Sequence, residues 1–427
     1  MFRLSTIVRT ATAVLAVAAL AGCDDSPELV NAPPPVNPEL FASYVALGNS
    51  ITAGFQSAGI NDSTQRESYA AMFAFQVGTR FAIPALAEPG CPPPIDNFQL
   101  QTRLGGGNGS TCFFRTPNSV TQVLNNVAVP GATAADPTSS ATSASNQLTL
   151  FILGGESQVE RALDARPTFA SVWIGNNDVL EAAISGLLTP TPGVSRGVTP
   201  VNTFTAEYDK TIDALLQGAD AAGDPPGAHA RSHLQGGVLI GVVDVTNAPI
   251  LFPAVALFNA QFKAGFDIAA GETTTLLPSC TVTTTSLISF QLAAAIRSGD
   301  HPPVIGCEPN SVPNTLVGDI FVLDATEQAT LHSTVAAYNA HIEALATEKN
   351  FAFVDPNPIL IGLRTSGDIP AVPNLASATE PFGAFVSLDG VHPRAPAHQL
   401  VAKAMIDAVN TKYGTNIPDT DIPRIVP

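Results

Sequence analysis

The sequence is poor in charge. Asp, Glu, Lys and Arg make up only 13% of its 427 residues, and Lys and Arg together number 19. No basic cluster occurs, and a formal net charge of −17 offers no electrostatic footprint for a polyanion, which argues against nucleic-acid binding. Beyond the first 22 residues no apolar run approaches the ~20 residues needed to cross a bilayer. The five cysteines show no CxxC spacing, so metal ligation is a weak reading and no cofactor is expected. No internal repeat is visible. What remains, a chain 45% apolar, has the size of one large domain or two small ones.

The N-terminus has a different character. Arg3 and Arg9 precede Ala11 to Leu20, a run in which only Thr12 is polar. It is too short to span a bilayer but suits a secretory leader. Leu20-Ala21-Gly22-Cys23 follows and resembles a bacterial lipobox, in which the cysteine is acylated and becomes the mature N-terminus. The expectation is a leader over 1–22 and a membrane-anchored lipoprotein outside the cytoplasm, in the periplasm or at the cell surface. From 23 to 40 the chain is proline-rich, with Pro27, Pro33, Pro34, Pro35 and Pro38, and reads as a tether of about 50 Å if fully polyproline II. The body is expected over 41–416, with a tail over 417–427.

If Cys23 carries lipid, four cysteines remain, in two sequence-local pairs, Cys91 with Cys112 and Cys280 with Cys307. Each disulfide would contribute roughly 3–4 kcal/mol by closing its loop. An oxidising compartment agrees with the leader. Both pairs fall in stretches that do not fit a minimal α/β core, about 86–124 and 270–318, so both are read as stapled insertions. The second contains Leu287-Ile288-Ser289-Phe290-Gln291-Leu292, which suits either core packing of a local helix or a lid over a pocket.

Five short apolar runs read as strands: Tyr44–Leu47, Asn126–Val129, Phe169–Ile174, Gly237–Val243 and Phe351–Val354. Continuous rather than alternating apolar runs suit strands buried on both faces of a parallel sheet. Helical periodicity separates them, with Phe204, Tyr208, Ile212, Leu215 and Leu216 on one face and Leu331, Val335, Tyr338, Ile342 and Leu345 on another. A last helix spans about Pro396 to Lys412. Strands alternating with helices predict an α/β doubly wound three-layer α/β/α sandwich with a parallel sheet of about five strands.

The first run ends in Gly48-Asn49-Ser50, which presents a hydroxyl at the carboxyl end of a strand, where open α/β sheets place their ligands. A serine needs a base to take its proton and donors to hold an oxyanion. Asp389-Gly390-Val391-His392 supplies an aspartate three residues before a histidine, close enough to reach Nδ1 and leave Nε2 for the serine. Gly131 follows the second run, and Gly175-Asn176-Asn177-Asp178 the third. These four blocks in order resemble the SGNH (GDSL) hydrolase superfamily, whose name-giving residues match Ser50, Gly131, Asn177 and His392.

The resemblance covers residues 42 to about 413 and implies a flavodoxin-like sandwich. It makes Ser50 the nucleophile, His392 the general base and Asp389 its orienting acid. The Ser50 and Gly131 N–H groups and the Asn177 amide would form the oxyanion hole. The implied reaction is hydrolysis of a carboxylic acyl ester through an acyl-enzyme, of esterase or lipase type. A carbohydrate O-acetyl esterase is the alternative, and a non-catalytic lipoprotein that binds a ligand or partner is another. The usual aspartate before the serine is Asn49 here, a residue that tolerates the same turn. Tyr338-Asn339, on the helix before the fifth strand, is taken as packing. Gly193-Val194-Ser195-Arg196-Gly197 spells a nucleophile-elbow motif but has no strand before it. His229 and His233 lack the glutamate of a zinc motif. His332, His341 and His398 are expected to be surface or packing residues.

Overall fold

A computed structural model describes residues 36–106, 123–140, 148–193, 195–218, 232–308, 312 and 320–423. The leader, Cys23 and most of the tether therefore lie outside the described residues, as do Cys112 and His229. A parallel four-stranded sheet forms the centre: β1 (Tyr44–Gly48), β2 (Phe169–Trp173), β3 (Gly236–Ile240) and β4 (Ala352–Val354), hydrogen-bonded in that order. In register, Tyr44 faces Phe169, Phe169 faces Gly236, and Ala352 faces Val238.

The second expected strand, Asn126–Val129, is the difference. It lies parallel to β1 and meets it through the Ala46–Asn126 bridge, with Val127 N–H and Val129 N–H donating to Ala46 and Gly48 carbonyls. The Asn126 side chain accepts from Ala128 N–H at 3.2 Å, a local bond that competes with a regular ladder, and Pro130 follows. This edge segment completes the flavodoxin-like order with the second run outside the first.

The two-residue period of the strands sorts side chains to two faces. Val45, Leu47, Ala170, Val172 and Leu239 pack under helices that include α4 (Val201–Gln217) and α5 (Ala325–Glu348). Tyr44, Ala46, Phe169, Trp173, Val238 and Ile240 pack under α2 (Tyr69–Val77) and α6 (Ala395–Tyr413). That is the expected sandwich. α5 starts on a capping box in which Asp324 and Glu327 exchange side-chain and backbone bonds, and α6 stops at Gly414 in the left-handed region.

A third apolar cluster stands apart from the sheet. Phe98, Phe252, Phe262, Phe266, Ile288, Leu292 and Phe382 gather around the Cys280–Cys307 disulfide, whose Cα atoms are 4.9 Å apart. Its own antiparallel sheet joins Leu251–Pro253, Leu287–Ser289 and Val322–Leu323, so this layer begins upstream of the loop that the disulfide closes. The apolar stretch at 287–292 is a strand followed by the start of the helix Gln291–Ser298. Cys91 is buried and disulfide-bonded.

Candidate functional site

Gly48 ends β1 with φ +156°, where a Cβ would lie 2.5 Å from the Trp173 carbonyl and from Thr52 Oγ1, so the turn admits only glycine. Asn49 then caps the short helix α1 (Ser50–Ala53), its Oδ1 accepting from Ile51 N–H at 3.1 Å. An aspartate could make the same bond, so the departure at this position leaves the turn intact. Asn126 Nδ2 donates to the Thr52 carbonyl and ties α1 to the sheet edge.

The second half of the site comes from a tight loop before α6. Ser387 N–H donates to the His392 carbonyl and Gly390 N–H to the Ser387 carbonyl. Gly390 has φ +72° and sits against Phe382, where a Cβ would be 2.8 Å from the ring. This folding brings His392 Nδ1 to 2.8 Å from Asp389 Oδ2 and His392 Nε2 to 2.8 Å from Ser50 Oγ. With the Nδ1 proton donated to the carboxylate, Nε2 can accept from the Ser50 hydroxyl. The Phe55 ring lies 4.9 Å from the imidazole and covers it.

Asp389 is held by many donors. Oδ1 accepts from Val391 N–H, His392 N–H and Ser387 Oγ–H at 2.9–3.0 Å, and Oδ2 accepts from Ala58 N–H at 2.8 Å as well as from His392. Burial alone would raise the carboxyl. The His392 charge and these bonds outweigh it and hold Asp389 well below the usual carboxylate range, so it stays ionised.

The expected oxyanion donors gather on the other side. Asn177 opens α3 (Asn177–Ser185), and its Nδ2 donates to the Ala132 carbonyl at 2.8 Å, next in the chain to Gly131 (φ +82°). Asn176 Oδ1 accepts from Val243 N–H and fixes this helix start to the chain leaving β3. Among the described residues neither Ser50 N–H nor Gly131 N–H has an acceptor. Asp178, one residue on, is buried, and its carboxyl is pushed up to about 6 by that burial, against the pull of bonds from Ala134 N–H and Thr199.

Two cavities flank the 386–392 loop. The narrow one, about 110 Å³, holds Ser50, Asn177 and His392 within walls that include Leu180, Val245 and Leu363. The wide one, about 1020 Å³, lies on the Asp389 side between Phe98, Phe262, Phe290, Leu375 and Phe382. Several polar groups on its walls are already engaged. Gln99 Nε2 donates to the Leu375 and Ala376 carbonyls, Gln101 Nε2 to the Phe98 carbonyl, and Arg297 to the Ile268 carbonyl, while Asn259 Oδ1 caps its own helix.

The remaining motif residues are elsewhere. Ser195 is buried in a turn, its Oγ–H donating to the Leu187 carbonyl and its oxygen accepting from Gly197 N–H, away from any strand end. His332 is exposed and pairs with Asp244, and His341 pairs with Asp209. His398 is fully buried, Nδ1 accepting from Tyr69 N–H, and burial followed by the nearby His392 pushes it down to about 3, so it stays neutral. Tyr338 packs as expected, but Asn339 does more: its amide brackets Val242, accepting from the N–H and donating to the carbonyl. Ser57, Ala58 and Ser387, which contact the Asp389 loop, carry no motif and gave no sequence signal.

The sequence matches the GDSL-like lipase/acylhydrolase family over residues 44–405. A search of curated proteins finds no match. Among solved structures the chain is similar to a variant of an acetyl-xylooligosaccharide esterase from Geobacillus Stearmophilus, at 12% identity over 86% of this chain and 93% of that one, with a TM-score of 0.36. It is also similar to an extracellular lipase from Streptomyces rimosus, at 16% identity over 87% and 99%, with a TM-score of 0.28.

Proposed function

This chain belongs to the GDSL-like lipase/acylhydrolase family and is a carboxylic ester hydrolase, and from that premise we propose that Ser50, His392 and Asp389 act as its triad. The observation that carries the reading is the unbroken line of 2.8 Å contacts from Asp389 Oδ2 through the imidazole to Ser50 Oγ. As Ser50 Oγ bonds to the ester carbonyl carbon, its proton passes to His392 Nε2 and the carbonyl electron pair becomes an oxyanion. The Ser50 and Gly131 N–H groups and the Asn177 amide receive that charge, each such donor worth about 3–4 kcal/mol. The tetrahedral adduct collapses, the carbon–alkoxy bond breaks, and His392 returns the proton to the leaving alcohol. Water, deprotonated by His392, then releases the acid and restores Ser50. Asp389 keeps its charge throughout and fixes the imidazole.

The substrate we propose is a hydrophobic acyl ester. The aromatic walls of the wide cleft, Phe98, Phe262, Phe290 and Phe382, support this, with Gln99, Gln101 and Arg297 turned to protein carbonyls rather than to the cleft. A second reading, an O-acetyl esterase, is favoured by one observation: the pocket at Ser50 is far smaller than the ~300 Å³ and above of ordinary ligand sites, and suits a short acyl group. We read Cys23 as lipid-bearing and the protein as extracytoplasmic; a Cys23→Ser chain recovered in the membrane fraction as before would remove the anchor.

Ser50→Ala should fold normally, lose turnover by roughly 10⁴–10⁶-fold and cease to react with a fluorophosphonate. Labelling that survives the substitution eliminates Ser50 as nucleophile. A series of p-nitrophenyl esters then separates the substrates, octanoate preference supporting the first and acetate preference the second.

A further inference from the structure

Three residues after α1 the chain makes a two-residue reversal. Gln56 and Gly59 exchange both backbone bonds, at 2.9 and 3.0 Å, around Ser57 and Ala58. Both central residues have positive φ, +53° and +52°, as a type I′ turn requires. That turn ordinarily takes Asn-Gly, because a Cβ disfavours the left-handed region. A Ser-Ala pair holds it here only because its surroundings dictate it, and such over-determined backbone clusters at functional sites.

Those surroundings take up every backbone polar group of the pair. The N–H groups point to the acid loop: Ser57 N–H donates to Ser387 Oγ at 2.8 Å and Ala58 N–H to Asp389 Oδ2 at 2.8 Å. The carbonyls point to the first insertion: Ile95 N–H donates to the Ser57 carbonyl at 2.8 Å and Arg103 Nη1 to the Ala58 carbonyl at 2.8 Å. Arg103 also holds the Pro93 carbonyl, so one guanidinium staples the turn to the insertion. Ser387 completes the link, accepting from Ser57 and donating its own proton to Asp389 Oδ1 at 3.0 Å, while Ser57 Oγ accepts from Leu388 N–H.

We infer that the Ser57–Ala58 turn and Ser387 are a positioning clamp for Asp389, and that the first insertion bears on the chemistry through it. The inference rests on the proposed role of Asp389 and adds residues to it. One peptide unit transmits the effect. The Ile95 N–H polarises the Ser57 carbonyl, and the N–H of that same peptide, on Ala58, binds Asp389 Oδ2, the oxygen that orients His392. Hydrogen bonds in such a chain strengthen one another. The clamp leaves Asp389 one rotamer, with Oδ2 facing Nδ1. Because the turn follows α1 directly, it also sets the distance between the serine and acid loops.

The test uses the full chain with Ser387→Ala, Ser387→Thr and Arg103→Gln, each first checked by thermal melting. With Val391, His392 and Ala58 N–H still in place, a carboxylate that loses the Ser387 donor is aimed less firmly at the imidazolium, so Ser387→Ala should lower kcat about tenfold with KM little changed. That is less than the ~100-fold that misplacement of a reacting group by about an ångström can cause. The acid limb of the kcat/KM profile should move to lower pH. Ser387→Thr, which keeps the hydroxyl, should restore both, and Arg103→Gln should lower kcat about threefold. A second readout needs no turnover: the low-field proton resonance of the His392 Nδ1–H bond should move upfield in Ser387→Ala. If Ser387→Ala fails to fold, Arg103→Gln carries the test through the same readouts. An unchanged resonance and an acid limb that stays put or rises, in folded variants, overturn the clamp. Hydrolysis retained in Ser50→Ala would remove the proposed nucleophile and yet leave the Asp389–His392 resonance in place, so the two failures are told apart.

Discussion

The narrow pocket at Ser50 and the wide cleft behind Asp389 share one loop as a wall but are built from different parts of the chain. The pocket is lined by strand ends and helix starts of the sandwich: Ser50 after β1, Trp173 and Asn177 around the end of β2, Val243 after β3, His392 before α6. The cleft is lined by excursions: the hairpin at 95–103, the helices Ala260–Ala270 and Gln291–Ser298, and the loop at 372–376. At the pocket, among the described residues, the Ser50 N–H is left without an acceptor, as is the Gly131 N–H next to Ala132, which Asn177 holds. In the cleft, the Gln99 and Gln101 amides are tied back to nearby carbonyls. Groups kept open suit a charge that develops during reaction, and groups tied back suit apolar contact.

The sharpest way to break this comparison is at the oxyanion side. Asn177→Ala should lower kcat by roughly 10²–10³-fold, the cost of one oxyanion donor, with KM nearly constant. A change confined to KM would make Asn177 a binding residue and erase the distinction.

Filling each cavity in turn sharpens it. Leu180 lines the pocket and Ala294 the cleft. Leu180→Trp should cut hydrolysis of butyrate and longer acyl esters by about tenfold while sparing acetate, since each buried methylene is worth ~0.8 kcal/mol. Ala294→Trp should leave acetate and butyrate turnover within twofold and weaken only octanoate and longer esters, whose chains reach the cleft. Equal effects of the two variants across the ester series would mean that the cavities act as one.

The smallest effect concerns stability. Asp178 sits behind the pocket with its carboxyl raised to about 6 by burial. A carboxyl raised in the folded state keeps its proton there longer than in the unfolded chain, so it lends stability at low pH. That contribution falls as pH rises from the unfolded value near 3.9 and levels off above about 6. Asp178→Asn, which keeps an acceptor for Ala134 N–H, should therefore gain on the wild type between pH 4 and 7, by an amount on the order of 2 kcal/mol. Melting curves whose difference is flat over that range would show that the carboxyl is not paying this desolvation cost.

The groups proposed to react were legible because each lies where a local signal changes. Ser50 follows an apolar run broken by glycine, Asn177 opens a helix after another, and Asp389 and His392 are three residues apart on one turn. The Asn126–Val129 run was harder, since a side-chain bond to Ala128 N–H reduces a well-patterned strand to an edge bridge. Asn339 looked like packing because nothing in its own neighbourhood announces the Val242 peptide that it brackets. The clamp was invisible: Ser-Ala has no turn signature, and its partners lie about 330 positions away at Ser387 and Asp389.

The sandwich was written in the sequence, and so were the strand-end and turn positions of the side chains proposed to react. Hydrophobic period and turn chemistry are short-range properties, written within a few residues. Tertiary structure alone decided that the serine and imidazole stand 2.8 Å apart, that a strained turn and a distant arginine brace the carboxylate, and that two cavities of unlike size flank one loop. Those outcomes depend on contacts between segments far apart in the chain, where no local propensity acts and only the closure of the whole core fixes the distance.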